Sequence, residues 1–172
     1  QIGWSHAPFH IPAELYQAWD ARRSGARAEA KWRRGLKAYR QAHPELAAEF
    51  ERRVAGDLPV TWAETSRAYV TATAVKGEAI ATRKASQNAL NAYGPVLPEL
   101  IGGSADLTAS NLTLWSGSTT FTAATPGNYI YYGVREFAMA AINNGMALHG
   151  GLIPYGGTFL IFSDYARNAL RM

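Results

Sequence analysis

Glu136 is the residue whose type and position most directly indicate chemistry. It follows the apolar run 128–133, opens a long segment that is almost free of charge, and has no lysine near it. A carboxylate buried without a partner is costly in free energy, so we expect it to seek a hydrogen-bond donor. Such a carboxyl group is suited to acid–base chemistry near neutral pH. The alternative is an acidic residue in the first turn of a helix, stabilised by the helix dipole and by Arg135.

Two polar segments could bind an anion. Residues 102–113, GGSADLTASNLT, form either a glycine-rich turn whose N–H groups and hydroxyls hold a negative charge, or a plain polar loop capped by Asp106. Arg83 and Lys84 stand at the start of a predicted helix, which is the least favourable end for cations. That placement favours an external anion such as phosphate, which arginine can grip through two hydrogen bonds. A surface pair that faces water is the alternative.

Three aromatic residues recur at a spacing of three, namely Phe159, Phe162 and Tyr165. They straddle a predicted strand end and the start of a helix. Rings in this arrangement can stack on a flat ligand, although packing in a hydrophobic core would produce the same pattern.

The second half of the chain alternates strands and helices. The pattern predicts helices over 81–94, 134–151 and from 163 onward, with strands near 97–103, 128–133 and 152–162 and a long polar loop over 108–128. The helix over 134–151 is apolar on almost every face and is predicted to be buried. The alternation predicts an α/β fold, a parallel sheet flanked by helices. Ligands of such sheets bind beyond the carboxyl ends of the strands, here GGSAD, YYGVRE and TFLIF.

The first half predicts short helices over 12–20, 29–42, 45–54 and 61–75, with Gly25 interrupting the chain before the second of them. It carries most of the charge, with 14 of the 17 Lys and Arg residues within residues 1–86. These cations are interleaved with acidic and aromatic residues, which favours a solvated helix face over a nucleic-acid surface. The charge-poor second half indicates a core or a subunit interface.

Composition excludes several classes of site and protein. The chain has no cysteine, which excludes thiolate metal sites and cysteine nucleophiles. Its four histidines lack metal-ligand spacing with nearby carboxylates, so we predict no metal ligand among them. No run of eighteen apolar residues occurs, so we predict no membrane span.

Several long motifs resemble transketolases. They are ATRKASQNALNAYGPVLPELIGGSADLTASNLTLWSGS, GNYIYYGVREFAMAAINNGMALHGGLIPYGGTFLIFSDYARNALRM and the opening GWSHAPFHIPAELYQAWD. The resemblance implies a thiamine-diphosphate-binding fold. Residues 1–20 would end the N-terminal diphosphate-binding domain, 21–80 would form a helical connector, and 81–172 would begin the pyrimidine-binding domain. Transketolases are longer and carry a GDG-type motif that is not present here, so we expect an internal segment.

The resemblance also implies roles for individual residues. Glu136 matches the catalytic glutamate that hydrogen-bonds N1′ of the cofactor's aminopyrimidine ring. Phe162 matches the aromatic residue that stacks on that ring, with Phe159 and Tyr165 completing the pocket. Asp106 and Leu107 match positions near the cofactor. Arg83 and Ser110 match residues that hold the phosphate of the sugar substrate.

The activity implied by the resemblance is transfer of a two-carbon ketol unit from a ketose phosphate to an aldose phosphate. The cofactors would be thiamine diphosphate and a divalent metal, magnesium or calcium, held by a part of the fold outside this chain. A cytoplasmic homodimer with its active site between subunits would serve the pentose phosphate pathway or the Calvin cycle, without nucleic-acid or membrane partners. The chain alone is expected to be inactive. The alternatives are a dihydroxyacetone synthase, or an inactive fragment that acts as an interaction module.

Overall fold

A computed structural model describes residues 3–172, and the chain divides into two units, 1–48 and 49–172. The first unit is helical. It contains α1 (Ala13–Trp19), α2 (Arg22–Ala42) and the beginning of α3 (Pro44–Ala55). As predicted, His43 ends one helix and Pro44 begins the next, because proline suits the first turn of a helix and disfavours helical geometry in the residue before it.

The prediction that Gly25 interrupts the chain before the second helix is wrong. α2 begins at Arg22 and continues through Gly25, which faces open space. A glycine in an exposed helix costs only about 1 kcal/mol relative to alanine, and the alanine, arginine and lysine residues around it favour the helix. Asp20 helps to start α2, because its carboxylate accepts hydrogen bonds from the backbone N–H (3.1 Å) and the guanidinium of Arg22.

The second unit is α/β. It contains the end of α3, then α4 (Trp62–Lys76), α5 (Thr82–Tyr93), and the strands β1 (Leu100–Ser104), β2 (Tyr129–Tyr131) and β3 (Ile153–Gly157). The remaining helices are α6 (Thr108–Asn111), α7 (Glu136–His149) and α8 (Ser163–Leu170). Within the described residues, the strands form one parallel sheet in the order β2-β1-β3, which confirms the predicted parallel sheet flanked by helices.

Glycine in the central strand β1 allows the backbones of the neighbouring strands to approach it closely. Gly103 pairs with Ile130 on one side and Gly156 on the other, and a Cβ at Gly103 would collide with the carbonyl of Ile130. Tyr129 lies fully buried next to this strand. The strand therefore requires residues without a side chain where neighbouring backbones approach.

α7 is less buried than its apolar composition predicts. Its buried residues are Glu136, Met139 and Ala140, whereas Ile142 and Leu148 are exposed. The helix packs against β3 and α8 along one face, where Ala140 contacts small residues of α8. Close approach of small side chains explains that face, whereas Phe137, Ile142 and Leu148 remain exposed within the described chain.

The predicted long loop after β1 contains local structure. It begins with the short helix α6, and Thr120 pairs with Tyr129. Trp115 is buried in this loop, and its ring lies against Gly94 and Gly117. Across the helices that the structure describes, we find none with the length and apolar character needed to traverse a bilayer.

Candidate active site

The carboxyl ends of β1 and β2 open onto a cavity of about 710 Å³, here named the first cavity. Its lining comes from residues 105–107 after β1, residues 134–137 after β2, and two aromatic residues, Phe162 and Tyr165. Parallel strands bring their carboxyl ends to one edge of the sheet, so residues distant in sequence meet there. The cavity lies at the edge that the alternation of strands and helices predicted for a ligand site.

Glu136 lines the first cavity as the first residue of α7, and it is only 8% exposed. Among residues 3–172, no hydrogen-bond donor or cation pairs with its side-chain carboxylate. The neighbouring Arg135 does not serve this role, because its guanidinium donates a 2.8 Å hydrogen bond to the carbonyl of Tyr132. Glu136 is therefore a buried acceptor that faces a cavity and can receive a hydrogen bond from a ligand.

The predicted aromatic residues form a row of rings. Phe162 lies in the middle of the row. Its ring centroid is 6.2 Å from that of Phe159, in a stacked arrangement, and 6.1 Å from that of Tyr165, in a tilted arrangement. A 3-10 turn over Leu160–Phe162 and the start of α8 produce this row, because a spacing of three residues brings side chains to the same side of such a turn. Phe162 and Tyr165 line the first cavity, whereas Phe159 lines a different one.

The segment after β1 completes the wall of the first cavity. Asp106 is exposed and has a φ of 59°, a left-handed conformation that aspartate tolerates better than most residues. Leu107 is half-buried beside it. The structure thus places Asp106 and Leu107 in the same cavity as Glu136, Phe162 and Tyr165.

A second cavity of about 780 Å³ lies at the carboxyl end of β3. Arg83 lines it from the first turn of α5, and the described residues provide no ion pair for its guanidinium. Ser110 is exposed on α6, one residue before Asn111, which lines the cavity. The hydroxyl of Thr158, another lining residue, is buried without a hydrogen-bond partner in the described chain. An unpaired cation with an unsatisfied hydroxyl in the same cavity wall suits an anionic ligand.

Two tyrosines near the cavities act as neutral hydrogen-bonding groups. Burial raises the pKa of Tyr132 to about 12, and its hydroxyl donates to the amide oxygen of Asn143 at 3.0 Å. Burial, with a smaller contribution from Tyr129, raises the pKa of Tyr155 as well. Both phenols therefore keep their protons at neutral pH, and neither supplies a base.

Several lining residues were not predicted from the sequence. Val134, Arg135 and Phe137 could have been found from their adjacency to Glu136. The second cavity also includes Tyr155 and Thr158 from the end of β3, for which the sequence offers no signal beyond a predicted strand.

In the described part of the chain, no cluster of three or more His, Asp or Glu side chains is arranged to bind a metal ion.

Comparison with known proteins identifies relatives of both units. The family model of the transketolase pyrimidine binding domain matches residues 78–172, and that of the transketolase thiamine diphosphate binding domain matches residues 1–59. The chain is 57% identical over 172 residues to transketolase 2 of Escherichia coli, covering 100% of this chain and 26% of that protein. It is 58% identical to transketolase 1 of Vibrio cholerae, with coverage of 99% and 26%.

Solved transketolase structures are similar as well. A Pichia stipitis transketolase in complex with sedoheptulose-7-phosphate has a TM-score of 0.79 and 40% identity, over 95% of this chain and 25% of that chain. A Leishmania mexicana transketolase has a TM-score of 0.77 and 38% identity, over 94% of this chain and 24% of that chain. The chain therefore spans about a quarter of the length of its relatives. The pyrimidine-domain match covers more than half of the residues, and on this ground the chain belongs to the transketolase family.

Proposed function

We propose that this chain forms the pyrimidine side of a transketolase active site. The full-length protein would transfer a two-carbon ketol unit from a ketose phosphate to an aldose phosphate. The observation that carries the proposal is the buried residue Glu136, whose carboxylate lacks a partner among residues 3–172 and which lines a cavity walled by Phe162 and Tyr165. The sequence similarity to transketolases supports the same conclusion.

The residues of the first cavity fit the aminopyrimidine ring of thiamine diphosphate. Such a ring offers a flat face and a nitrogen that can carry a proton. Phe162 and Tyr165 present aromatic surface for the face, and Glu136 presents an acceptor for the N–H. Asp106 and Leu107 would contact the edge of the ring from the segment after β1.

When bound, thiamine diphosphate supplies the carbanion stabilisation that cleavage of a carbon–carbon bond requires. In the proposed mechanism Glu136 holds a proton at N1′ of the ring. Because Glu136 is largely buried and faces the cavity, a ligand that fills the cavity would exclude water from that hydrogen bond and make it stronger than it would be in water. Phe162 and Tyr165 hold the plane of the ring and exclude water from this bond.

The second cavity would bind the phosphate of the sugar. The guanidinium of Arg83 can form two hydrogen bonds to phosphate oxygens. Ser110 and Asn111, on the neighbouring helix α6, would supply polar contacts. A cation directed at a phosphate favours a phosphorylated acceptor, and so a transketolase over the dihydroxyacetone synthase that the sequence left open.

The proposal includes features that come from the family resemblance. They are a divalent metal, magnesium or calcium, bound outside this chain, a cytoplasmic homodimer with a shared active site, and a role in the pentose phosphate pathway or the Calvin cycle. The division into residues 1–20, 21–80 and 81–172 also stays a proposal. The family match that begins at residue 78 supports its last boundary.

The experiment compares wild-type full-length protein with Glu136→Gln. Glutamine preserves the size of the side chain but cannot bear the negative charge that holds the proton at N1′. We expect ketol transfer to fall at least about a hundredfold, the usual range for a lost acid–base group. Asp164→Asn, which neutralises an exposed acid in the first turn of α8, is the matched control and should leave the rate unchanged. Unchanged turnover in Glu136→Gln would contradict the catalytic role.

A further inference from the structure

Ser104, the last residue of β1, has a hydroxyl that serves both cavities. The residue is 1% exposed. Its hydroxyl donates to the carbonyl of Gly157 at 3.0 Å, and it accepts hydrogen bonds from the backbone N–H of Leu107 at 3.1 Å and the side-chain amide of Asn111 at 2.8 Å. A hydroxyl has one hydrogen and two lone pairs, so these contacts use its full capacity.

The partners of Ser104 line different cavities. Leu107 belongs to the wall of the first cavity, whereas Asn111 and Gly157 belong to the wall of the second. One buried oxygen atom thus lies between the proposed cofactor site and the proposed phosphate site. Asn111 and Leu107 both donate to the hydroxyl oxygen of Ser104. A displacement of Asn111 can therefore be transmitted to Leu107 through this oxygen.

A separate anchor keeps the rest of this segment in place. The buried hydroxyl of Tyr129 donates to the hydroxyl of Thr108 at 2.8 Å and also contacts the hydroxyl of Thr113 at 2.7 Å. Loss of the Ser104 hydroxyl would therefore remove one hydrogen bond each from Leu107 and Asn111, whereas the amide oxygen of Asn111 would keep its hydrogen bonds from the backbone N–H and the hydroxyl of Thr113. The expected consequence is a local displacement at both cavities.

We propose that Ser104 is a positioning residue that couples the two cavities. Its hydroxyl sets Leu107 against the aminopyrimidine ring and Asn111 against the sugar phosphate, so that the geometry of either site depends on the other. This inference rests on the proposed function, because it assigns ligands to the two cavities. It concerns residues of this chain alone.

The test is Ser104→Ala in the full-length protein. The Kd of thiamine diphosphate is measured by quenching of intrinsic fluorescence. The KM for a ketose phosphate is measured by steady-state kinetics. Two half-buried donors, the N–H of Leu107 and the amide of Asn111, lose their acceptor, so we expect both constants to rise about tenfold. General destabilisation would instead lower kcat by reducing the folded fraction, with little change in KM or Kd. Ser118→Ala removes a comparable hydrogen bond, 3.0 Å to the N–H of Trp115, and should change neither constant.

A second variant tests the coupling from the opposite side. Asn111 lines the second cavity, so Asn111→Ala should weaken thiamine diphosphate binding in the first cavity through the lost contact with Ser104. We expect an increase of about threefold in Kd. If Ser104→Ala does not fold, the Kd of Asn111→Ala alone tests whether the two cavities are coupled. Coupling is overturned if Asn111→Ala leaves this Kd unchanged, or if Ser104→Ala alters only one of the two constants. Failure of the wild-type protein to bind thiamine diphosphate would instead overturn the proposed function.

Discussion

Arg52, near the end of α3, and Glu99, the residue that precedes β1, form a bidentate ion pair. Nη1 lies 2.9 Å from Oε1 and Nη2 lies 3.0 Å from Oε2. Glu99 is 4% exposed, and the same guanidinium binds Glu49 at 2.8 Å. Because β1 carries Ser104 and the segment after it, this pair anchors the strand from which the first cavity is built.

The first prediction concerns the stability of this ion pair. Arg52→Ala leaves the carboxylate of Glu99 buried and unpaired, and we expect a loss of about 3–5 kcal/mol in the free energy of unfolding. The matched control is Arg33→Ala, which breaks an exposed pair with Glu29 on α2 and should cost less than about 1 kcal/mol. Chemical denaturation of both variants measures the difference. Equal losses would show that burial of Glu99 contributes nothing.

The second prediction concerns pH. Hydrogen bonds from Arg52 and Arg53 lower the pKa of Glu49 to about 2. Burial opposes ionisation of Glu99, but the hydrogen bonds and charge of Arg52 outweigh it and hold the pKa of Glu99 below its ordinary value. Groups with a lowered folded-state pKa contribute stability above their unfolded pKa, near 4.5, and lose it as the pH falls through the folded value.

The melting temperature of the full-length protein should therefore fall as the pH is lowered from about 4.5 towards about 2, in part because these carboxylates become protonated. Glu99→Gln removes one of the titrating groups and should show a shallower dependence over that window. Parallel curves for wild type and Glu99→Gln would rule out a contribution from Glu99. Thermal unfolding followed by circular dichroism provides the measurement.

The third prediction concerns the second cavity. Arg83→Ala should raise the KM for phosphorylated sugars by about tenfold to a hundredfold, the equivalent of a lost charge-assisted hydrogen bond. The KM for unphosphorylated sugars should change little. Lys84→Ala is the control, because Lys84 binds Gln87 at 2.9 Å and does not belong to the described wall of this cavity. Equal effects on both sugar classes would remove the phosphate role of Arg83.

The fourth prediction concerns the aromatic row. Phe162→Leu keeps an apolar side chain but loses the flat face, so thiamine diphosphate should bind about tenfold more weakly, since an aromatic pair contributes roughly 0.5–1.5 kcal/mol beyond its buried area. Phe159→Leu, one ring further along and in the second cavity, should have a smaller effect. Fluorescence titration of both variants distinguishes them. If Phe159→Leu weakens thiamine diphosphate binding more than Phe162→Leu does, the assignment of Phe162 as the ring that stacks on the aminopyrimidine is wrong.

The fifth prediction concerns the size of the natural protein. The chain has a mass of 18.7 kDa and spans 26% of its transketolase relatives. Intact mass spectrometry of the protein from its natural source should therefore give a mass several times larger. A natural mass near 18.7 kDa would favour the alternative of an interaction module, and we would then expect no ketol transfer by this chain alone.

The sequence by itself determined the order of the main strands and helices, the parallel sheet and the sheet edge at which the candidate site was expected. These features follow from local patterns, such as the alternation of apolar runs with turn residues and the helix start at Pro44. Glu136 could be singled out as a candidate because it stands where a strand ends and an apolar helix begins. Its neighbour Arg135 was an open alternative partner until the structure placed that guanidinium on the carbonyl of Tyr132.

Only the tertiary structure decided which distant residues meet. Arg52 and Glu99 are 47 residues apart, and Ser104 and Gly157 are 53 apart. The division of Phe159 and Phe162 between two cavities likewise depends on how the turn before α8 packs at the sheet edge. Local patterns depend on the preferences of a few neighbouring residues, whereas these contacts depend on the packing of strands and helices whose separation along the chain does not encode their distance in space.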